Sequence, residues 1–268
     1  MRKSNLITTL FFCVVIVCTL IFMAYSKHSD KISNEKTIST TEKINKKKTQ
    51  QKKDSKSEKT KEQANTVKKG NDKKTDTSFS MDNSLFIGDS RTVGLMEYSQ
   101  MKDVDFFCTV GMSVFNIYDD AISVSNIGKV TLSELLDSKK YDRIYIMLGV
   151  NEMGYKFEKI LEKYKELIQF IKEKEPDTTI FLQANLHVTS ERSDYDDTFN
   201  NKSINRLNTA LSKLANQKDI FYIDVNPLFD DENGDLSADK SSDNTHLYAK
   251  YYKEWGQWII EQTSLLTD

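Results

Sequence analysis

The sequence predicts an α/β fold in which a five-stranded, mostly parallel sheet is covered by helices on both faces. Five short runs rich in β-branched and aromatic residues alternate with amphipathic segments of helical period. Strands that alternate with helices form parallel sheets, and such sheets are buried on both faces. Ligands bind to them at the carboxyl ends of the strands. The five predicted strands are Leu85–Ile87, Phe106–Val110, Ile144–Leu148, Thr179–Ala184 and Ile220–Val225.

Three segments between and after these strands have clear helical periodicity. The segment from Phe157 to Lys174 places its apolar side chains on one face and lysine and glutamate opposite, and Pro176 follows its end. A second helix is predicted around Ile204 and Leu214, and a third from Leu247 to Thr263 closes the chain.

The N-terminal residues 1–26 have the composition of a membrane anchor. Leu6 to Tyr25 carries no charged residue and at about 1.5 Å per residue would span one bilayer core. An apolar run of this length exceeds a usual signal-peptide core, so we predict an uncleaved anchor. Cleavage after Ala24-Tyr25-Ser26, which would give a secreted protein, is the alternative.

Residues 27–78 are predicted to form a disordered, lysine-rich tether. The stretch from Lys27 to Asp76 contains 16 lysines and 8 acidic residues, and residues 27–78 contain no aromatic residue and no proline. Such a segment buries too little apolar surface to offset its ordering entropy. Such a segment needs no role beyond that of a spacer between the anchor and the domain. A further role is contact with an anionic layer, either an envelope polymer such as teichoic acid or lipid headgroups.

Residues 79–268 are predicted to form one domain, and its charge argues against a nucleic-acid partner. The domain holds 20 basic and 32 acidic residues, a formal charge of −12. Its single cysteine, Cys108, lies in an apolar run and is predicted to be buried. We expect an extracytoplasmic domain, because Arg2 and Lys3 favour a cytoplasmic N-terminus.

A serine follows the first predicted strand in the segment Gly88-Asp89-Ser90-Arg91. At a strand-to-helix turn, aspartate and serine are common helix caps. A serine there also lies beside free backbone N–H groups, which stabilise developing negative charge. The segment lacks the second glycine of the G-x-S-x-G pattern, which Thr92 replaces.

A histidine and an aspartate three residues apart lie just before the last helix. Asp243 on the same loop can reach Nδ1 of His246 and leave Nε2 facing a serine. His187, after the fourth strand, is predicted to be structural. Asn151 follows Gly149 directly after a buried strand and is either a turn residue or a side-chain donor to an oxyanion.

Together, the Gly-Asp-Ser, glycine, Gly-x-Asn and Asp-x-x-His segments resemble the SGNH (GDSL-type) hydrolase family, in the same order. The resemblance runs from about Leu85 to His246. It implies a three-layer α/β/α sandwich with Ser90 as nucleophile, His246 as base and Asp243 as the residue that orients it. It also implies an oxyanion hole formed by the Ser90 N–H, a backbone N–H of the glycine segment after the second strand, and Asn151.

The chain departs from the family pattern at two places. Arg91 replaces the family's usual leucine and puts a charge beside the nucleophile. The glycine segment, Val110-Gly111-Met112-Ser113-Val114, has only one glycine. We expect the Gly111 N–H to be the backbone donor to the oxyanion, with the N–H of Ser113 or Val114 as alternatives.

We therefore expect a membrane-anchored extracytoplasmic serine esterase that needs no metal or other cofactor. Its expected substrate is a small acyl ester, with an O-acetyl group on a cell-envelope carbohydrate as the leading candidate. An O-acyltransferase with the same triad and a non-catalytic wall-binding module are the alternatives.

Overall fold

The structure is a computed structural model that describes residues 79–267. The predicted anchor (1–26) and tether (27–78) lie outside the described residues. Within the described part of the chain, no helix combines the length and apolar character needed to cross a membrane.

Five parallel strands form the central sheet, in the order β2-β1-β5-β6-β7. The predicted sheet is therefore confirmed. Two short antiparallel strands form a separate hairpin. The strands are β1 (Ser84–Gly88), β2 (Val104–Cys108), β3 (Ile122–Val124), β4 (Gly128–Val130), β5 (Arg143–Met147), β6 (Thr179–Gln183) and β7 (Ile220–Ile223).

Helices cover both faces of the sheet. The helices are α1 (Ser90–Tyr98), α2 (Leu132–Ser138), α3 (Phe157–Lys174), α4 (Ser190–Tyr195), α5 (Asn201–Ser212), α6 (Asn226–Phe229) and α7 (Ala249–Thr267), with a 3₁₀ turn at Ala238–Lys240. Helix α3 has the predicted bounds, since its apolar stripe packs on the sheet while basic residues occupy its last turn.

Alternation along the strands divides the core into two clusters, as a period-2 pattern requires. Leu85 and Ile87 of β1 pack in the cluster that holds the buried side chains of α2, α3 and α5. Phe86, between them, packs with those of α1 and α7. The result is a three-layer α/β/α sandwich.

A row of stacked aromatic rings crosses the sheet on the α1 and α7 side. Adjacent ring centroids lie 4.4 to 5.5 Å apart. Each pair lies at matching register positions of neighbouring strands, so the rings stabilise the strand order as well as the core. The row consists of Phe106, Phe86, Tyr145, Phe181 and Phe221.

Most element ends differ from the prediction by one to four residues, and the largest differences are at β2, β7 and α7. Strand β2 ends at Cys108, because the Thr109 N–H donates to Gly88 O and the chain then turns, with the Met112 N–H donating to Thr109 O. Strand β7 ends at Ile223, before the predicted Val225. Helix α7 begins at Ala249 and runs to Thr267, because Leu247 forms a β-bridge with Ser241.

Candidate active site

Ser90 is the first residue of α1, directly after β1. Asp89 caps this helix: its Oδ1 accepts a hydrogen bond from the Arg91 N–H at 3.0 Å, and its side chain is fully buried. The cap is therefore the aspartate, which leaves the Ser90 hydroxyl available for other partners. Burial raises the pKa of Asp89, against the opposing effects of the Arg91 charge and N–H.

Ser90, His246 and Asp243 form a continuous hydrogen-bonded chain, although Ser90 and His246 are 156 positions apart. Ser90 Oγ lies 2.8 Å from His246 Nε2. On the other side of the imidazole, Nδ1 lies 2.7 Å from Asp243 Oδ2. The structure thus brings together the three side chains that the sequence motifs single out.

The charge of Asp243 determines how the imidazole is protonated. Burial alone would raise the pKa of Asp243, but hydrogen bonds from the His246 N–H and ring and from the Thr245 N–H lower it to about 2. An ionised carboxylate only accepts hydrogen bonds, so the neutral imidazole carries its proton on Nδ1. Nε2 then presents a lone pair to the Ser90 O–H, which donates to it.

An open cleft of about 470 Å³ lies over Ser90 and His246. Gly111 and Asn151 line the same cleft, so the predicted site residues from four separate chain segments meet in one place. The other lining residues are Arg91, Val110, Val150, Met153, Gly154, Arg192, Asp196, Thr198, Phe199, Asp243 and Thr245.

Asn151 has one strong and one weak hydrogen bond. Its Nδ2 donates to Met112 O at 3.0 Å and lies 3.5 Å from Asp89 Oδ2. A distance of 3.5 Å is at the limit of a hydrogen bond. The amide is thus exposed at the cleft with one N–H weakly held. Gly149, two residues earlier, has φ +111°, a conformation that other residues rarely adopt, so glycine is favoured at this turn.

The loop after β2 presents Gly111 to the cleft and buries Val114. Gly111 adopts φ +78°, a left-handed conformation that glycine favours. The Val114 N–H donates to Glu152 Oε1 at 2.5 Å, so it is already engaged. Ser113 and Val114 do not line the cleft, and of the three predicted donors Gly111 alone does so.

Glu152 and Tyr164 support the site, and no local sequence pattern predicts this role for either residue. Glu152 is 1% exposed, and its carboxylate holds the Gly111–Val114 loop by accepting from the Val114 N–H. Burial is the main reason that the pKa of Glu152 is raised. The Tyr164 hydroxyl donates to Leu148 O and accepts from the Leu148 N–H, both at 2.8 Å, at the end of β5.

Two further residues singled out in the sequence lie in the core. His187 is 7% exposed, and its ring nitrogens bond Asp230 and Asn205 at 2.9 Å, outside the cleft. Cys108 is 7% exposed, and burial is the main cause that raises its pKa to about 12. Among residues 79–267, no group of three or more histidine, cysteine or acidic side chains is arranged to hold a metal ion.

Comparison with known proteins gives a family and a set of structural neighbours. Residues 86–253 match the GDSL-like Lipase/Acylhydrolase family. No protein of curated function is significantly similar to the chain in sequence.

Three structural neighbours share the fold. A candidate platelet activating factor from Streptococcus pneumonia is 22% identical, with a TM-score of 0.53 over 71% of this chain and 86% of that one. A GDSL-like lipase from Bacteroides thetaiotaomicron is 14% identical, with a TM-score of 0.51 over 67% and 88%. An acetyl xylan esterase is also 14% identical, with a TM-score of 0.50 over 68% and 99%.

Proposed function

The chain belongs to the GDSL-like lipase/acylhydrolase family and is a carboxylic ester hydrolase, and we propose that Ser90, His246 and Asp243 are its catalytic triad. One observation carries the proposal: Ser90 Oγ lies 2.8 Å from a histidine nitrogen whose ring partner is the Asp243 carboxylate. A serine hydroxyl is a weak nucleophile until a neighbouring base accepts its proton.

The geometry supports a two-step acyl transfer to water. Ser90 Oγ attacks the ester carbonyl carbon while its proton passes to His246 Nε2. The tetrahedral intermediate collapses, the alcohol leaves with that proton, and the acyl group remains on Ser90. A water molecule then attacks the acyl-enzyme, again through His246, and releases the acid. Asp243 keeps its charge throughout and stabilises the imidazolium.

In this proposal the oxyanion is held by the Ser90 N–H, the Gly111 N–H and the Asn151 side-chain amide. All three residues line the cleft. The Ser90 N–H belongs to the first turn of α1, where backbone N–H groups have no partner within the helix and favour negative charge. The weak 3.5 Å contact of Asn151 with Asp89 leaves an N–H that can turn towards the developing charge.

The lining of the cleft favours a small acyl group. Its apolar side chains are few, namely Val110, Val150, Met153 and Phe199, and the rest of the lining is largely polar or glycine. A long acyl chain needs a continuous apolar surface, since each buried CH₂ contributes about 0.8 kcal/mol. An acetyl ester of an envelope carbohydrate fits this site, and the shared fold of an acetyl xylan esterase supports that choice.

We also propose that the domain acts outside the cytoplasm, attached through residues 1–26 to the membrane. The uncharged run from Leu6 to Tyr25 and the lysine-rich segment that follows it support this location. Both lie outside the described residues.

The triad is tested by replacing the nucleophile and by labelling it. Ser90→Ala is expected to keep the fold and to lower kcat for p-nitrophenyl acetate by about 10⁴-fold or more. A fluorophosphonate probe should label the wild type at Ser90. Ser212→Ala, a serine on α5 outside the cleft, is the matched control and should keep both activity and labelling. Activity within tenfold of the wild type in Ser90→Ala would refute the serine mechanism.

The substrate proposal is tested with p-nitrophenyl esters of increasing acyl length, alongside acetylated xylan and O-acetylated peptidoglycan. We expect kcat/KM to be highest for the acetyl ester and to fall with chain length. A maximum at long chains would contradict a small-acyl site. Acetyl transfer to an added sugar, measured against acetate release, separates a transferase from a hydrolase.

A further inference from the structure

Arg91 is a buried cation whose guanidinium has no hydrogen-bond or ion-pair partner among residues 79–267. The side chain, in the first turn of α1, is 1% exposed, and its Nε and Nη2 atoms are buried without any hydrogen-bond partner among the described residues. Nor does the guanidinium form an ion pair with any carboxylate of residues 79–267. Burying an unpaired charge is expensive, so such groups in proteins are normally compensated.

Arg91 shares an aromatic neighbour with a second arginine of the cleft. The Arg91 Cζ lies 5.6 Å from the centre of the Phe199 ring, and the Arg192 Cζ lies 5.2 Å from the same ring. Arg192 donates to Asp196 at 3.0 Å, yet its Nε is also buried and unpartnered. All of these residues line the cleft over Ser90.

The carboxylates of the cleft are already engaged elsewhere. Asp196 accepts from Arg192 and from the N–H groups of Thr198 and Phe199, and Asp243 accepts from His246. Asp89, below the cleft, accepts from the backbone N–H of Arg91 and forms no ion pair with its guanidinium. The charge of Arg91 therefore acts on Asp89 from a distance, and its guanidinium has no carboxylate of residues 79–267 in ion-pair contact.

We propose that Arg91 and Arg192 form an anion subsite, and that the physiological ester carries a carboxylate or phosphate group next to the ester bond. This inference rests on the esterase function proposed above and names its substrate class. Arginine is suited to the role because its planar fork of donors matches the oxygens of carboxylate and phosphate. The domain charge of −12 repels a polyanionic substrate. For a single anionic group this repulsion is screened by salt and is weaker than direct contact with the two arginines.

Two pairs of esters test the proposal and show on which side of the ester the anion lies. The first compares 3-carboxyphenyl acetate with 3-carbamoylphenyl acetate, and the second compares mono-p-nitrophenyl glutarate with p-nitrophenyl valerate. The wild type is expected to prefer the anionic member of one pair by about tenfold or more in kcat/KM, since a hydrogen bond to a charged group contributes about 1.5–3 kcal/mol. Equal rates within both pairs would overturn the proposal.

Arg91→Met and Arg192→Gln are expected to lower the anionic-to-neutral ratio of kcat/KM at least fivefold. The matched control is Arg206→Gln. Arg206 lies on α5 and pairs with Glu158 away from the cleft, so this variant should keep the wild-type ratio. Arg91→Met should not lower the melting temperature, because it removes a buried charge without a partner. A large loss of stability with an unchanged ratio would make Arg91 a structural group and refute the subsite.

A binding measurement separates this proposal from the esterase proposal. Glutarate or inorganic phosphate should raise the melting temperature of Ser90→Ala, and Arg91→Met in the same background should abolish the shift. If neutral esters are hydrolysed but neither anion binds, the subsite is wrong and the triad stands. If anions bind but no ester is hydrolysed, the triad fails and the subsite stands.

Discussion

Asp243 uses both carboxylate oxygens to hold its own loop and the imidazole. Oδ1 accepts from the N–H groups of Thr245 and His246 and from the Ser241 hydroxyl, while Oδ2 accepts from His246 Nδ1. These bonds depress the folded-state pKa to about 2, below the ordinary value of 3.8. The stabilisation they provide is therefore present above about pH 3.8 and is lost as the pH falls towards 2.

Asp243→Asn is expected to lower kcat by about 10³–10⁴-fold while the fold is retained. An asparagine amide can donate to Nδ1, which moves the imidazole proton to Nε2 and removes the acceptor for the Ser90 hydroxyl. The assay is kcat for p-nitrophenyl acetate near neutral pH, with circular dichroism to check folding. Asp219→Asn is the control, since Asp219 also has a lowered pKa but pairs with Lys172 outside the cleft. A near wild-type kcat in Asp243→Asn would refute its role.

At the scale of elements, the segment after β5 supports the loop after β2. Glu152 accepts from the Val114 N–H across 38 positions of the chain, and Asn151 donates to Met112 O of the same loop. Two of the proposed oxyanion donors, Gly111 and Asn151, are thereby fixed relative to each other. Glu152 has no place in the cleft lining, so its effect on catalysis is one of positioning.

Glu152→Ala is expected to lower kcat by about 10–100-fold with little change in KM, because a displaced donor weakens transition-state binding. The variant leaves the buried Val114 N–H without an acceptor, which costs about 1–3 kcal/mol of stability. Glu152→Gln keeps an acceptor oxygen and should recover most of kcat. Glu158→Ala, an exposed glutamate on α3, is the control. Equal losses in the alanine and glutamine variants would contradict a positioning role.

The sequence predicts what depends on local pattern and misses what depends on distant partners. The five sheet strands and helix α3 follow from apolar period, and Ser90, Asp243 and His246 follow from motif spacing and family resemblance. The hairpin of β3 and β4 has only three residues in each strand, too few to show a period. No local pattern predicts the role of Glu152, because its partner, the Val114 N–H, lies 38 positions away in the chain.

Arg91 illustrates a different limit. Its presence beside Ser90 is visible as a departure from the family pattern, but whether that charge is solvated or buried depends on tertiary packing. In the structure it is buried under the cleft near Phe199, a residue 108 positions later in the chain. The proposed anion subsite could therefore be inferred only from the positions of Arg91 and Phe199 in the folded structure.

For the molecule as a whole, His187 connects three separate segments. Its Nδ1 bonds Asp230 after α6, its Nε2 bonds Asn205 of α5, and it lies just beyond β6. Burial alone would lower the pKa of His187, but Asp230, Asn205 and the charge of Asp224 raise it above 6.5. The folded protein therefore binds the proton of His187 more tightly than the unfolded chain does.

Protonation of His187 is expected to contribute a part of the melting temperature that falls as the pH rises above about 6.5. A raised folded-state pKa contributes stability that is fully present below 6.5 and is lost as the pH rises through the folded-state value. Calorimetry of the wild type and of His187→Gln over this range measures it. The variant should melt lower near pH 6, and the difference should narrow at high pH. Asp230→Asn should reduce the dependence in the same way. A constant difference at all pH values would refute the linkage.

The distribution of charge along the whole chain agrees with the membrane attachment proposed above. The described domain is acidic, whereas the segment from Lys27 to Asp76 is strongly basic and follows an uncharged run. An anionic membrane surface attracts the basic segment and repels the acidic domain.

Trypsin added to intact cells is therefore expected to release an active esterase fragment, since cleavage at the lysines of residues 27–78 precedes cleavage of the folded domain. Ester hydrolysis in the supernatant and the mass of the fragment are the measurements, with a cytoplasmic marker to show that the cells remain closed. A variant that lacks residues 6–25 is the control and should stay inside the cell. Full-length activity in the medium before trypsin would indicate a cleaved signal peptide. A domain that is protected until lysis would place it in the cytoplasm and overturn the proposed topology.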